Sequence, residues 1–297
     1  MSMFLQKTTM AAENYELRDQ DGKTIHGLMT LNGLPLPTFS SSPEDRADHL
    51  QAVREWKLRD DDIILCTLPK CGTHWLKEIT TLLLSGKSEM VVHSNPGSLI
   101  EAFPIDRLDE FPSPRVLCTH LPLEMLPKPI MQNKNKVVIV MRNPKDAVVS
   151  YYHHLRNMKI FDYDGQFKFF MEWFLEGKLK EYERFANDKS DQCIIIYYEN
   201  LKTNGMGEIK RLARFLGAND TDDFCQAVFD ACRIENVKEK RAQPKDVQEI
   251  MWKTGGSFYR KGIIGDWKTH LTVAQNEQFE SIIAEKMKGS NIKFRFD

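Results

Sequence analysis

No CxxC pair occurs among the six cysteines, Cys66, Cys71, Cys118, Cys193, Cys225 and Cys232. That excludes the paired spacing of a zinc ribbon or a thioredoxin-like redox motif. Cys66, Cys118 and Cys193 lie in or beside apolar runs, so the cysteines read as buried reduced thiols rather than disulfides or metal ligands. Nowhere do about 18 apolar residues run together, so no segment reads as a membrane-spanning helix. The opening stretch MSMFLQKTTMAAENYELRDQ lacks the apolar centre of a secretory signal, and the cytoplasm is the expected compartment. An excess of charge of one sign is missing too. The 41 basic residues face 42 acidic ones, which excludes holding nucleic acid or an anionic membrane by bulk charge. Any anionic ligand must be bound by a few well-placed cations. With 41% hydrophobic residues and no low-complexity tract, the chain is not disordered. There is no internal repeat and no linker, so residues 1–297 read as a single domain.

A Walker A loop is also lacking. That motif needs GxxxxGK followed by Ser or Thr. The one GKS, Gly86-Lys87-Ser88, has Thr81 where the first glycine belongs, and it reads as a helix-terminating glycine. The P-loop anchor for Mg²⁺ goes with it, so no metal is expected.

What is present is an alternation. The first forty residues are mixed and end in the Pro-punctuated NGLPLPTFSSSP; Ser42 then reads as an N-cap with Pro43 at the first helical position. Ile63–Leu68, Arg115–Thr119, Val137–Met141 and Cys193–Tyr197 are continuous apolar runs, too short for helices and rich in Ile and Val. Such runs suggest strands covered on both faces, as in a parallel sheet. Between them apolar residues recur at helical spacing: Trp75, Leu76, Ile79, Leu82 and Leu83; Ala147, Val148, Tyr151, Tyr152 and Leu155; Phe167, Phe170, Met171 and Phe174; and Ile209, Leu212, Ala213 and Leu216, stopped by Gly217. The fold class is α/β, with a central parallel sheet flanked by helices.

Ligands of open α/β sheets bind beyond the carboxyl ends of the strands. Pro69-Lys70-Cys71-Gly72-Thr73-His74-Trp75 follows the first strand, His120 the second, Arg142 the third, and Tyr198 the fourth. The first of these is a P-loop-like strand–loop–helix. A helix N-terminus offers unpaired N–H groups to an anion, Gly72 permits close approach, Lys70 adds a charge and Thr73 a hydroxyl. Arg142 at a strand end suits bidentate binding of phosphate, and Ser150 lies one to two turns into the helix after it. A third cluster, Arg260-Lys261-Gly262-Ile263-Ile264-Gly265-Asp266-Trp267, sets two cations before two glycines. Two separate anion sites point to a nucleotide carrying phosphates at both ends of its sugar.

The segments LPKCGTHW, MRNPKDAVVSYYHH and RKGIIGDWK, in this order and separation, closely resemble the signatures of the cytosolic sulfotransferases, and THLP at Thr119–Pro122 fits as well. The resemblance runs from about Asp61 to Phe296. It implies a donor, 3′-phosphoadenosine 5′-phosphosulfate (PAPS), and transfer of its sulfuryl group to a small acceptor. By that resemblance Lys70, Cys71, Gly72, Thr73, His74 and Trp75 form the 5′-phosphosulfate loop. Trp75 and Tyr198 stack near adenine, where Ile234 also packs. Arg142, Ser150, Arg260, Lys261 and Gly262 hold the 3′-phosphate, with Phe258 just before them in the nucleotide site. His120 becomes the catalytic base, Lys70 neutralises the leaving oxygen, and Ser150 restrains Lys70. Lys268, Thr272, Val273 and Glu277 fit the KxxxTVxxxE segment through which family members form homodimers, and Thr272 with Gln275 reads as a capping box. The variable segments carry the acceptor pocket, where Phe39, Phe103 and His154, with Phe111 and Trp252, suit a phenol, an aryl amine or a hydrophobic alcohol. Three departures stand out. Cys71 and His74 replace the usual Ser and Thr, Cys118 replaces a lysine common two residues before the histidine, and Ala231–Ile234 replaces a Thr-Ser-Phe run. They leave a second reading, a PAPS- or PAP-binding protein of reduced turnover (PAP being 3′-phosphoadenosine 5′-phosphate). A kinase on a similar scaffold is disfavoured by the absent Walker A loop.

Overall fold

The computed structural model describes residues 11–90, 97–122, 125–132, 135–176, 191–242, 244–253 and 255–296. The first ten residues of the opening stretch lie outside them. Four strands, β4 (Ile63–Thr67), β5 (Val116–Thr119), β6 (Lys136–Met141) and β7 (Cys193–Tyr197), form a parallel sheet in the order β5-β4-β6-β7. Register pairs Cys66 with Thr119, Thr67 with Val140 and Met141 with Tyr197, so the carboxyl ends lie nearly level. The apolar runs are continuous because the sheet is covered twice. Leu65, Val138, Val140 and Ile196 pack with Leu76 and Ile79 of α2 (Thr73–Ser85) and with Ile209 and Leu212. Their alternates Ile64, Cys66, Leu117 and Ile139 pack with Leu50 and Val53 of α1 (Pro43–Glu55).

The described residues before Ser42, from Ala11 on, are structured, which the mixed reading did not anticipate. β1 (Ala12–Arg18), β2 (Thr24–Leu31) and β3 (Leu34–Pro37) make an antiparallel sheet in sequence order. β1 is AENYELR and mostly solvent-facing, which hides its alternation, whereas Met29 and Leu31 of β2 complete the core under α1. Asn32 and Gly33, at φ 50° and 80°, join β2 to β3 as an Asn-Gly hairpin.

Ser42 caps α1, its hydroxyl accepting from Asp45 N at 3.1 Å. Gly86 ends α2 in the left-handed conformation, as expected of a terminator. After β6 comes α3 (Pro144–Asn157), which packs Val148, Val149 and Tyr152 against Phe170 and Met171 of α4 (Phe167–Glu176) and Phe279 of the last helix. α5 (Gly205–Leu216) follows β7 and stops at Gly217, and α6 (Val273–Lys286) opens on Thr272 with both halves of the capping box formed. All six cysteines are free thiols.

Candidate active site

Each strand of the parallel sheet delivers one polar group to the same rim. The loop after β4 turns sharply: Lys70 adopts φ 67°, a left-handed conformation that costs a non-glycine residue of order 1–3 kcal/mol. Gly72 follows at φ 110°, where a Cβ would lie 2.9 Å from the Tyr198 ring. Glycine is therefore demanded twice, by conformation and by space. No side chain caps α2 at Gly72, so its first N–H groups face the rim.

Arg142 ties the first and third anion loops together. Its guanidinium donates to Lys70 O at 3.0 Å and Ile263 O at 3.4 Å, and it lies 4.4 Å over the Tyr198 ring. Arg260 and Lys261 both donate to Asp266, at 2.5 and 2.6 Å. The Nε–H groups of Arg142 and Arg260 are nevertheless buried without a partner among the described residues. Gly262, at φ 71°, lies where a Cβ would meet Ile234 at 3.1 Å and Tyr198 at 3.7 Å. Arg142, Tyr198, Ile234, Gly262, Arg260 and Lys261 thus come together at one end of the sheet. Trp75 is beside them but enclosed: its ring meets Tyr198 edge-on at 5.4 Å and its Nε1–H donates to Cys232 O at 2.6 Å. Trp75 therefore stands as a wall behind the Tyr198 ring.

His120 is held by β4. Its Nδ1 lies 2.8 Å from Thr67 O and 3.0 Å from Thr67 Oγ1, which in turn contacts Thr73 Oγ1 at 2.6 Å. A carbonyl only accepts, so Nδ1 carries the hydrogen and Nε2 keeps its lone pair. Burial is the main cause that lowers the His120 pKa to about 4, and Lys70 adds to it. The imidazole is therefore neutral at pH 7. The His120 N–H donates to Glu101 Oε1 at 2.7 Å, and burial raises that carboxyl to about 7. Glu101 escaped the sequence reading, being a lone acid in an irregular stretch.

Lys70 Nζ donates to Phe258 O at 3.2 Å and stands 3.5 Å from His154 Nδ1, not on Ser150, so the expected Ser150 restraint is replaced. Ser150 itself is buried on α3, one turn before His154. Desolvation, helped by Arg142 and Arg260, lowers Lys70 to about 7. Around it lie aromatic faces: Phe258 is 4.9 Å from His74, 6.0 Å from His154 and 4.9 Å from Trp252. Phe258 so joins this aromatic wall rather than the Tyr198–Ile234 group. Burial depresses His74 to about 3, and His154 well below its usual value. Cys71 is buried and its thiol is pushed up to about 12, so it contributes shape and a backbone amide, not a thiolate. Phe39, at φ 49°, lies under Arg46, and Phe103 under Arg107. Arg46 reaches Glu101 O, which connects this second aromatic group to His120.

A glycine-bearing strand–loop–helix, orphaned guanidinium donors and a neutral imidazole with one free nitrogen define an α/β enzyme that binds a phosphorylated nucleotide and moves a group. The comparisons make that class specific. A sulfotransferase-domain profile matches residues 60–291, and the chain belongs to the sulfotransferase family. It is 32% identical to rat sulfotransferase 1C2, over 83% of this chain and 90% of the relative. Identity to dog sulfotransferase 1B1 is also 32%, over 84% and 91%. Among solved structures, mouse sulfotransferase SULT7A1 complexed with PAP superimposes with a TM-score of 0.73 at 27% identity, covering 90% of this chain and 96% of that one.

Proposed function

We propose that this enzyme transfers the sulfuryl group of PAPS to a hydroxyl or amine of a small, largely apolar acceptor, a phenol, an alcohol or an aryl amine. The observation that carries this reading is the pair of buried, unpartnered Nε–H donors on Arg142 and Arg260 beside the Gly262 turn. Buried donors of this kind cost stability unless a ligand satisfies them. A 3′-phosphate between them meets that need, with Lys261 and Ser150 adjoining, while the Lys70–Trp75 loop receives the 5′-phosphosulfate. The relative bound to PAP supports the same assignment.

In the reaction His120 Nε2 takes the proton as the acceptor O–H (or N–H) bond breaks. The acceptor atom forms a bond to sulfur, the bond from sulfur to the 5′-phosphate oxygen breaks, and PAP leaves with that electron pair. Lys70, released from Phe258 O, neutralises the departing oxygen; the amide N–H groups at the start of α2 stabilise the transferring group. His154, Phe258, Trp252 and His74 supply acceptor walls, extended by Phe39 and Phe103. The cytoplasm is the compartment read with the family resemblance. No helix among the described residues is long and apolar enough to cross a membrane. A homodimer through Lys268, Thr272, Val273 and Glu277 is part of the proposal, supported by Val273 being 77% exposed at the first position of α6.

The test is transfer from radiolabelled PAPS across a panel of phenols, alcohols and aryl amines. Labelled product from at least one acceptor class is expected. Tight PAP binding with no transfer to any acceptor would instead favour the binding protein of reduced turnover, and equal affinity for adenosine 5′-phosphosulfate and PAPS would remove the 3′-phosphate site.

A further inference from the structure

Between the two cations of the third loop and the body of the protein stand two buried carboxylates, and neither has the geometry of a ligand contact. Asp146, in the first turn of α3, is buried. Its Oδ2 accepts from Gly265 N at 2.8 Å and its Oδ1 from Trp267 N at 3.0 Å. Those two amides flank Asp266, whose own carboxylate takes Arg260 on Oδ2 and Lys261 on Oδ1. Asp266 is 3% exposed. Gly265 is at φ 80°, a conformation that a side chain would strain, so the turn presents its N–H to Asp146 at no steric cost.

We propose that Asp146 and Asp266 are positioning residues for 3′-phosphate recognition, Asp146 gripping the backbone on both sides of Asp266 so that Asp266 aims Arg260 and Lys261. This rests on the nucleotide reading above.

The physical reason for such a relay is entropy. Free arginine and lysine side chains lose rotamer freedom when a ligand fixes them. A carboxylate that already holds both heads leaves less to be lost on binding, and Arg260 Nε remains unpartnered to meet the phosphate. Asp266 can hold its aim only if its own backbone is fixed. The loop between Gly256 and Gly265 has no regular secondary structure. Asp146 supplies the anchor from a helix that the core already holds through Val148 and Val149. A carboxylate suits this because each of its oxygens accepts one N–H. An asparagine at position 146 would present one acceptor and one donor, and the donor would face an amide N–H.

The experiment measures the affinity ratio of PAP to adenosine 5′-monophosphate, ligands that differ by the 3′-phosphate alone, by calorimetry at fixed salt. Asp146→Asn is expected to lower the ratio roughly ten- to hundred-fold, the range for one or two hydrogen bonds to charged groups, while affinity for the monophosphate changes less than about twofold. Asp146→Glu, which keeps the charge but shifts the anchor by a methylene, should fall between. If Asp146→Asn does not fold, Asp266→Asn, which keeps both anchors, carries the test and is expected to reduce the ratio similarly. A ratio unchanged in the variant that folds, with parent-like thermal stability, overturns the positioning role. A parent protein that does not prefer PAP at all fails the nucleotide reading instead, so the two failures are distinguishable.

Discussion

Donor affinity should fall as pH rises above 7, because Lys70 must take up a proton to bind an anion. Desolvation first, then Arg142 and Arg260, lowers the free lysine to about 7 from 10.5. The phosphates of PAP, with second pKa values near 6, are fully charged above pH 7 and contribute no further slope there. Where the free site is neutral and the bound site charged, each pH unit costs one tenfold step. Between pH 7 and 9 the loss is up to about 100-fold. His120 and His74, at about 4 and 3, are neutral throughout this window. Glu101, raised to about 7 by burial, is the one other described group at the site that titrates within it. Calorimetry of PAP binding at pH 7, 8 and 9, in buffers of different ionisation enthalpy, reads both affinity and proton uptake. The parent should take up close to one proton at pH 8.5. Lys70→Arg, whose guanidinium stays charged, should bind with a flat profile, and Glu101→Gln should keep the slope. A parent with level affinity, or a Lys70→Arg variant with the parent's slope, refutes the reasoning. The same shift acts on folding. Between about pH 7 and 10.5 the unfolded chain binds a proton at Lys70 that the folded one does not, so this group makes stability rise with pH across that window.

Further outcomes follow from other contacts. His120→Ala should lose at least the ~100-fold in transfer typical of a general base while still binding PAP, checked by initial rates and calorimetry. Arg142→Ala, which removes one orphan donor and the link between Lys70 O and Ile263 O, should weaken PAP binding about ten- to hundred-fold with little change in far-ultraviolet circular dichroism. Asp62→Ala strands the fully buried Arg115, which sits over Trp56 and keeps only Asp109 as an ionic partner. The expected loss is about 3 kcal/mol, at the low end for a broken buried pair, read by chemical denaturation. Val273→Glu should halve the sedimenting mass if the α6 surface pairs two copies, and an unchanged mass would remove that interface.

How far the residues alone reach can be judged element by element. The parallel strands were legible because each is buried on both faces, which forces an unbroken apolar run; β4, IILCT, cannot hide what it is. The rim was legible for the same reason, since a strand's carboxyl end fixes where the next polar residue goes, and Lys70, His120, Arg142 and Tyr198 all fall there. Helix ends at Ser42, Gly86, Gly217 and Thr272 were local chemistry, decided within four residues. β1 was lost because an edge strand with one solvated face carries little pattern, and the Asn32-Gly33 turn joining β2 to β3 went unread. What the tertiary structure alone decided is pairing across distance. No spacing rule links Asp146 to residues 265 and 267, Lys70 to the carbonyl of Phe258, or Glu101 to the amide of His120. Those bonds exist because tertiary packing brings chain segments separated by up to 188 residues within about 3 Å. The same packing removes water from Lys70 and His120, and so sets the charge each carries at neutral pH.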